Sequence, residues 1–393
     1  MEEPAVLNDA RPRGVDIVFF DGGGAHRSGA TSLRDALAEV PQLDVRLVNL
    51  TTDVLPFAPV LRWTFDRGIR LYNAALQSER MYFGDLRTAM RMGAWMSRTL
   101  RPRAVQGVRA YYRARPPRLL VSFVPMHNRL LLEALRAEQP TAQGFVVPVD
   151  FAELFPGYWF DADAGARYFC GTHRLSEDAV AAGIPADRVH PVAGMPTHPR
   201  FHQARPADAA GERQKLGLDP ALPTVMLFFG AQGSRRLVDI ARRLDSGPLR
   251  TNLVIVCGHH AAAQAELSSW ESRSKKHVVG FTDLESVAAL MRMADVLVGK
   301  PGPLSIFEAM ASRLPVVLWD NPAFGVLFDE NLTWVESEGV GVRVRSMDQI
   351  GPAVTLVLQS PEFRQRTARH AGDATREIAR ATVASLASEH CQR

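Results

Sequence analysis

Short apolar runs rich in β-branched residues recur along this chain, interleaved with stretches of helical pattern. That alternation constrains the fold more than any other feature. One group of runs covers residues 15–20, 45–50, 119–124 and 145–149, and a second covers 225–229, 253–257, 296–298, 316–319 and 340–344. Strands alternating with helices pair in parallel through crossover connections. Between the groups, Pro206, Gly211, Gly217, Pro220 and Pro223 punctuate a polar segment, the composition of a linker. The chain therefore reads as α/β, two doubly wound domains facing each other across a cleft. Ligands of such sheets bind beyond the carboxyl ends of the strands. The expected domains are 1–203 and 224–375, joined by a linker at 204–223, with a last helix at 376–393 packing back on the first domain.

At 393 residues the chain has room for two cores of ordinary size. Its 46% apolar and 22% charged content excludes wholesale disorder and a fibrous chain. No apolar stretch of about 18 residues lacks a charge, so no bilayer-spanning helix is expected. The start, Met1-Glu2-Glu3-Pro4, has neither the basic nor the apolar region of a secretory signal. Cys170, Cys257 and Cys391 are odd in number and widely spaced. They fit reduced thiols in a cytoplasmic protein and exclude a disulfide scaffold or a four-cysteine zinc site.

The net charge of +4 hides an asymmetry. From Arg87 to Arg129 there are ten arginines and no acid, so +4 − 10 leaves −6 for the rest of the chain. Between Trp63 and Arg118, a stretch overlapping that window, the chain carries Trp63, Phe65, Tyr72, Tyr82, Phe83, Trp95, Tyr111 and Tyr112 with Met81, Met90, Met92 and Met96, and few strand signals. Arginines beside amphipathic aromatics describe a segment lying in a membrane interface, where each basic residue near an anionic leaflet contributes about 1 kcal/mol. Trp95, Arg98, Arg101 and Arg103 are the candidates for that contact. A solvated helix pair packing its aromatics on the core is the alternative. A nucleic-acid groove is disfavoured, since no nucleic-acid-binding motif accompanies the patch.

Three loops carry the chemistry. Asp21-Gly22-Gly23-Gly24-Ala25-His26-Arg27-Ser28 directly follows the first apolar run. Gly22, Gly23 and Gly24 let the backbone approach a ligand, and a helix-like stretch begins near Gly29. The spacing is not that of a dinucleotide fingerprint. His26 in such a loop is a candidate general base; a turn with a surface histidine is the bland reading. In the second loop, the strand at 296–298 runs into Lys300-Pro301-Gly302-Pro303-Leu304-Ser305, where a helix begins. Pro303 suits a first helical turn, and the free N–H groups with the helix dipole make an anion site for a diphosphate. Glu308, a turn further on, is placed to accept from ribose hydroxyls. The third loop, Phe229-Gly230-Ala231-Gln232-Gly233-Ser234, can close over the same phosphates. Asp150, after the run at 145–149, is read either as orienting His26 or as a helix cap. Asp161-Ala162-Asp163 and His259-His260 are read blandly, as surface turns rather than metal or phosphate ligands.

The run from Val278 to Leu318 closely resembles the donor domain of the monogalactosyldiacylglycerol synthases and processive diacylglycerol glucosyltransferases, within glycosyltransferase family 28. Asp21 to Arg27 resembles that family's glycine-rich loop ending in His-Arg. Val121 to Asn128, Val147 to Asp150, Tyr168 to Gly171 and Gly194 to Phe201 are similar to bacterial members, in the same order. The resemblance spans roughly residues 15–350. It implies the GT-B architecture of two Rossmann-like domains, inversion at the anomeric carbon, no metal and no cofactor. The donor it implies is a UDP-sugar, UDP-galactose or UDP-glucose, and the acceptor a lipid hydroxyl such as diacylglycerol. By that resemblance His26 is the base, Glu308 holds the ribose, Gly302, Pro303, Leu304 and Ser305 face the diphosphate, and Phe281 lies beside uracil.

One departure stands out. After Val317 the family shows a Gln-Glu pair that contacts the donor sugar, and here Leu327 and Phe328 fall at those positions. Asp329, Glu330 and Asn331 are the nearest substitutes. The expected protein is a hexosyltransferase associated peripherally with the inner face of the cell membrane, with an anionic membrane surface as partner and no nucleic acid. Two alternatives stay open: a transferase of the same fold acting on a soluble natural product or another lipid carrier, and a silent UDP-sugar-binding protein.

Overall fold

The computed structural model describes residues 13–22, 24–38, 40–78, 83–322 and 325–388; Gly23 and Cys391 lie outside them. The chain divides into two compact units. The first takes the residues through His198, apart from 77–82, and those from Asp373 on; the second takes 77–82 and Pro199–Gly372.

In the first unit β1 (Arg13–Phe19), α1 (Ala25–Ala38) and β2 (Leu43–Asn49) are followed by α2 (Pro59–Ser78) and α3 (Phe83–Ala114). Then come β3 (Leu119–Ser122), α4 (Asn128–Glu138), β4 (Gln143–Val146), β5 (Arg167–Cys170), α5 (His173–Ala181) and β6 (Val189–Pro191). Six parallel strands stand in the order β2-β1-β3-β4-β5-β6. β3 is buried along its whole length and β1 nearly so, as sheets covered on both faces require. Because β2 and β3 lie on opposite sides of β1, the loops after β1 and β3 meet at the sheet's switch point. α1 starts at Ala25, earlier than the Gly29 start read from the sequence, so His26 belongs to its first turn. Gly29 instead lets α1 settle on the sheet: a Cβ there would lie 3.0 Å from the Phe123 ring.

The second unit begins with α6 (Ala209–Lys215), β7 (Thr224–Phe228), α7 (Arg236–Asp245), β8 (Asn252–Val256), α8 (Ala261–Ser269) and β9 (Lys276–Val279). It continues with α9 (Leu284–Met293), β10 (Val296–Gly299), α10 (Pro303–Ala311), β11 (Val316–Trp319), α11 (Gly325–Ser337), β12 (Gly341–Val344), α12 (Met347–Gln359) and α13 (Pro361–Thr367). Its parallel sheet runs β12-β11-β10-β7-β8-β9, with the order reversing between β7 and β10.

The segment read as a linker at 204–223 is held within the second unit. It contains α6, and Arg205 and Arg213 pair with Asp295 at 3.1 and 2.6 Å, where Arg364 of α13 also arrives. The last helix, α14 (Ala374–Ser388), packs on α1 in the first unit. Its Thr375 hydroxyl donates to the Thr197 carbonyl at 2.7 Å, and Gln143 Nε2 donates to the Ser385 carbonyl at 3.2 Å.

Candidate active site

At the switch point of the first unit, His26 Nδ1 lies 2.8 Å from the carbonyl oxygen of Phe123, just past β3. A carbonyl only accepts, so Nδ1 carries the proton and Nε2 the lone pair. Burial pushes the imidazole down to about 4, against a smaller upward pull from the Phe123 carbonyl. The ring is thus neutral at physiological pH. A neutral imidazole with a lone pair on Nε2 can accept a proton from a hydroxyl. Phe20 and Trp159 pack on it, with ring centroids 4.2 and 5.9 Å away.

The glycine loop beside it is braced by Asp21, which accepts two hydrogen bonds from Arg27, at 2.7 and 2.8 Å, and one from Asn49 at 2.9 Å. Its backbone carbonyl accepts from Asn73 of α2 at 3.1 Å. Gly22 is packed against Phe20 so closely that a Cβ would lie 2.2 Å from the ring, whereas Gly24 is open.

Asp150 departs from both readings made of it. Its carboxylate accepts from Trp159 Nε1 at 2.8 Å, and among the described residues it makes no hydrogen bond to His26 and caps no helix. Burial raises it to about 6, and the indole N–H pulls the other way. Trp159 was not singled out from the sequence. The one signal was its place in the aromatic run Tyr158-Trp159-Phe160.

In the second unit the loops after β7 and β10 flank the sheet's switch point. Gly302 is the N-cap of α10 and Pro303 its first residue, so the helix starts with free N–H groups after the Lys300–Gly302 turn. Lys300 reaches the β7 loop: a Cβ on Gly230, whose φ is +77°, would lie 3.4 Å from its Nζ. Gly233 backs onto the Cys257 carbonyl, where a Cβ would lie at 2.0 Å. Gln232 is exposed, Ser305 half-buried and Leu304 buried. Glu308, in the second turn of α10, is 7% exposed, and among the described residues it has no hydrogen-bond or ion-pair partner. Burial pushes its carboxyl up to about 8. An anion site and an unpartnered buried carboxyl on one helix are complementary to a diphosphate and a diol.

Phe281, after β9, is 61% exposed and stacks on His259 with centroids 4.0 Å apart and planes 13° from parallel. The bland reading of His259 missed this flat aromatic pair. His260 caps α8, its Nδ1 accepting from the Ala263 N–H at 3.1 Å. Of the three proposed substitutes for the missing Gln-Glu pair, Asn331 and Asp329 are engaged elsewhere and Glu330 is exposed. Asn331 Nδ2 donates to the Pro301 carbonyl at 2.7 Å, Asp329 pairs with Arg343 at 2.8 Å, and Phe328 is buried. Asp161 and Asp163 face Arg129, and among the described residues no group of three His, Cys, Asp or Glu could hold a metal.

The acid-free arginine window is not acid-free in space. Arg101 pairs with Glu133 at 3.3 Å, Arg109 and Arg113 with Glu138 at 2.9 and 3.4 Å, Arg115 with Asp44, and Arg129 with Glu133 at 2.7 Å. Arg101 is therefore not one of the unpaired cations. Among the described residues Arg91, Arg98 and Arg103 are exposed and make no ion pair. Alongside them, Trp63, Met92 and Trp95 are 58%, 60% and 64% exposed, while Tyr112 of α3 is fully buried. The side chains of Arg87 and Phe83, and all of Met81 and Tyr82, lie outside the description. Ser97, Arg98, Arg101, Asn128 and Trp159 line a small open pocket between α3 and the loops after β3 and β4.

Residues 219–373 match the family model described as glycosyl transferases group 1. Over 90% of its length the chain is 27% identical to monogalactosyldiacylglycerol synthase 1 of Arabidopsis thaliana, covering 67% of that protein. It is 26% identical to the processive diacylglycerol beta-glucosyltransferase of Bacillus subtilis over 53% of each chain. Among solved structures, the glycosyltransferase SnogD from Streptomyces nogalater superposes with a TM-score of 0.59 at 16% identity, covering 96% of this chain and 99% of that one. The likeness to SnogD extends to both units and establishes the GT-B fold.

Proposed function

Taking the chain as a glycosyltransferase of the GT-B fold, with relatives named for diacylglycerol glycosylation, we propose that it moves a hexose from a UDP-sugar to a lipid hydroxyl at a membrane surface. The observation that carries the donor half is Glu308, buried without a partner beside the Lys300–Gly302 turn. A ribose supplies the two hydroxyl donors that carboxyl lacks. The α10 N-terminus and Lys300 supply positive potential for the diphosphate, the part a cation plays in other transferases. The Phe281–His259 pair offers a flat face for uracil. UDP-galactose and UDP-glucose are the donors.

In the reaction the acceptor hydroxyl gives its proton to His26 Nε2 while its oxygen bonds to the anomeric carbon. The bond from that carbon to the diphosphate oxygen breaks, and the electron pair leaves with UDP. A single displacement of this kind inverts the anomeric centre. The acceptor reading draws on the relatives' names and on Trp63, Met92 and Trp95, large apolar side chains standing in water beside Arg91, Arg98 and Arg103. No described helix is long and apolar enough to cross a membrane, which is compatible with peripheral attachment.

The test offers UDP-galactose or UDP-glucose to the purified protein with diacylglycerol in phosphatidylglycerol vesicles. Hexosyl-diacylglycerol in the extracted lipids, by mass spectrometry, is the expected result. UDP release that needs no vesicle and leaves the lipids unchanged would overturn the lipid acceptor. Absence of UDP binding by calorimetry would overturn the donor.

A further inference from the structure

We propose that Trp159 is a positioning residue for His26, carrying the influence of Asp150 to the imidazole. The proposal rests on reading His26 as the base. The indole is fixed at three points: Nε1–H donates to Asp150 at 2.8 Å, its backbone N–H donates to Glu153 at 3.0 Å, and its carbonyl accepts from Asn128 Nδ2 at 3.3 Å. Glu153 also takes the N–H groups of Gly157 and Tyr158, each at 2.9 Å, so one carboxylate shapes the whole turn. Gly157 has a φ of +81°, and the Arg98 guanidinium occupies the space of its absent Cβ. With 1% exposure the side chain has little room to take another pose. Its ring lies over His26 at 5.9 Å between centroids and 29° between planes, an offset stack.

When Nε2 holds the acceptor's proton, the imidazole is a buried cation. The face of an indole attracts a cation more strongly than a phenyl ring does. A carboxylate accepting the Nε1–H polarises the ring toward that face, as linked hydrogen bonds polarise one another. A direct His–Asp pair would place the carboxylate on Nδ1, but Phe123 holds that position. Asp150 therefore acts through Trp159. The titratable groups packed around this arrangement are Tyr72 from α2, Tyr158 and Glu153 from the same loop, and His127 ahead of α4. Phe65 connects His127 to Phe20 and so to the His26 ring.

The experiment follows the His26 ring by nitrogen NMR as pH is lowered, in the full chain without donor or acceptor. His26 is assigned by the loss of its signals in His26→Ala. Trp159→Phe should lower the His26 midpoint. Asp150, which burial holds at about 6, is already neutral there, so Asp150→Asn is read in kcat near pH 8, where the double variant should match Trp159→Phe alone. At saturating donor, kcat should fall about tenfold in each single variant, within the range of a lost cation–π contact, with KM for the donor changed less than about twofold. Trp159→Tyr, which keeps an aromatic face and a hydroxyl donor, should recover part of the loss. Unchanged His26 titration in Trp159→Phe, or an Asp150→Asn effect that persists undiminished in the Trp159→Phe background, overturns the proposal. Because the titration needs no substrate, expected shifts in an inactive protein would sink the transferase reading and leave the stacking role standing.

Discussion

Asn331 Nδ2 donates to the carbonyl oxygen of Pro301 across 2.7 Å, tying α11 to the turn that precedes α10. Asn331 is 4% exposed, so this bond forms where water does not compete. The residue therefore shapes the Lys300–Gly302 turn, proposed above to face the diphosphate, instead of standing in for the missing Gln-Glu pair. Asn331→Ala should weaken UDP binding by about 1–3 kcal/mol, the cost of an unsatisfied buried carbonyl next to the site. Calorimetry with UDP alone checks this. Unchanged affinity, with donor-sugar preference altered, would return Asn331 to a sugar-contacting role.

Glu308 binds a diol best as a carboxylate, yet burial holds its carboxyl at about 8. UDP binding should therefore release a proton below that pH, and affinity should rise from pH 6 toward 8 and then level. Stability of the ligand-free protein runs the opposite way. The folded value lies above the unfolded one of about 4.3, so this contribution is present below that pH and is lost as pH rises through about 8. Glu308→Gln should flatten both trends, and Glu308→Ala should cost about 1.5–3 kcal/mol of UDP binding. Calorimetry in two buffers of different ionisation enthalpy reads the proton directly. Zero proton release would show that the ribose does not meet this side chain.

His26→Ala should reduce turnover by about 10²–10⁴ and leave UDP affinity nearly intact, since the residues proposed to hold the donor lie in the other unit. The pH profile of Asp150→Asn, which removes the carboxyl held at about 6, carries a second check. The folded imidazole sits at about 4, below the usual histidine value, so at saturating donor kcat of that variant should hold as pH falls to about 5 and drop only through about 4. A profile breaking near 6.5 would mean that the working base is a solvated histidine.

The central strands were legible because a strand covered on both faces reads as a continuous apolar run. β5, β6 and β9 were not: β5 is only the four residues Arg167–Cys170 with an exposed arginine at its start, and β6 and β9 carry His190, Lys276 and His277 among few apolar residues. The α10 turn was legible down to Pro303 at its first position, since local sterics alone dictate it. Asn331 was visible as a polar residue, but its partner is a backbone carbonyl, which no side-chain pattern reveals. The arginine window misled for a related reason. Glu133 and Glu138 follow it in sequence on α4, and the packing of that helix alongside α3, in the same direction, neutralises Arg101, Arg109 and Arg113.

That partial neutralisation redirects the membrane test. If α2 and α3 dock on a bilayer, two forces act. Trp63, Met92 and Trp95 enter the headgroup region, and the exposed cations Arg91, Arg98 and Arg103 meet anionic lipid. Salt separates them, because the Debye length falls from about 10 Å at 0.1 M to about 3 Å at 1 M. Arg91→Glu with Arg103→Glu should reduce sedimentation with phosphatidylglycerol vesicles strongly at low salt and weakly at high salt. Trp95→Ala should reduce it at both. Arg101→Ala should matter less than either, since Glu133 already answers that charge at 3.3 Å. UDP affinity should stay constant across the set. Wild-type protein that remains in the supernatant at low salt would remove the membrane from the account and favour a soluble acceptor.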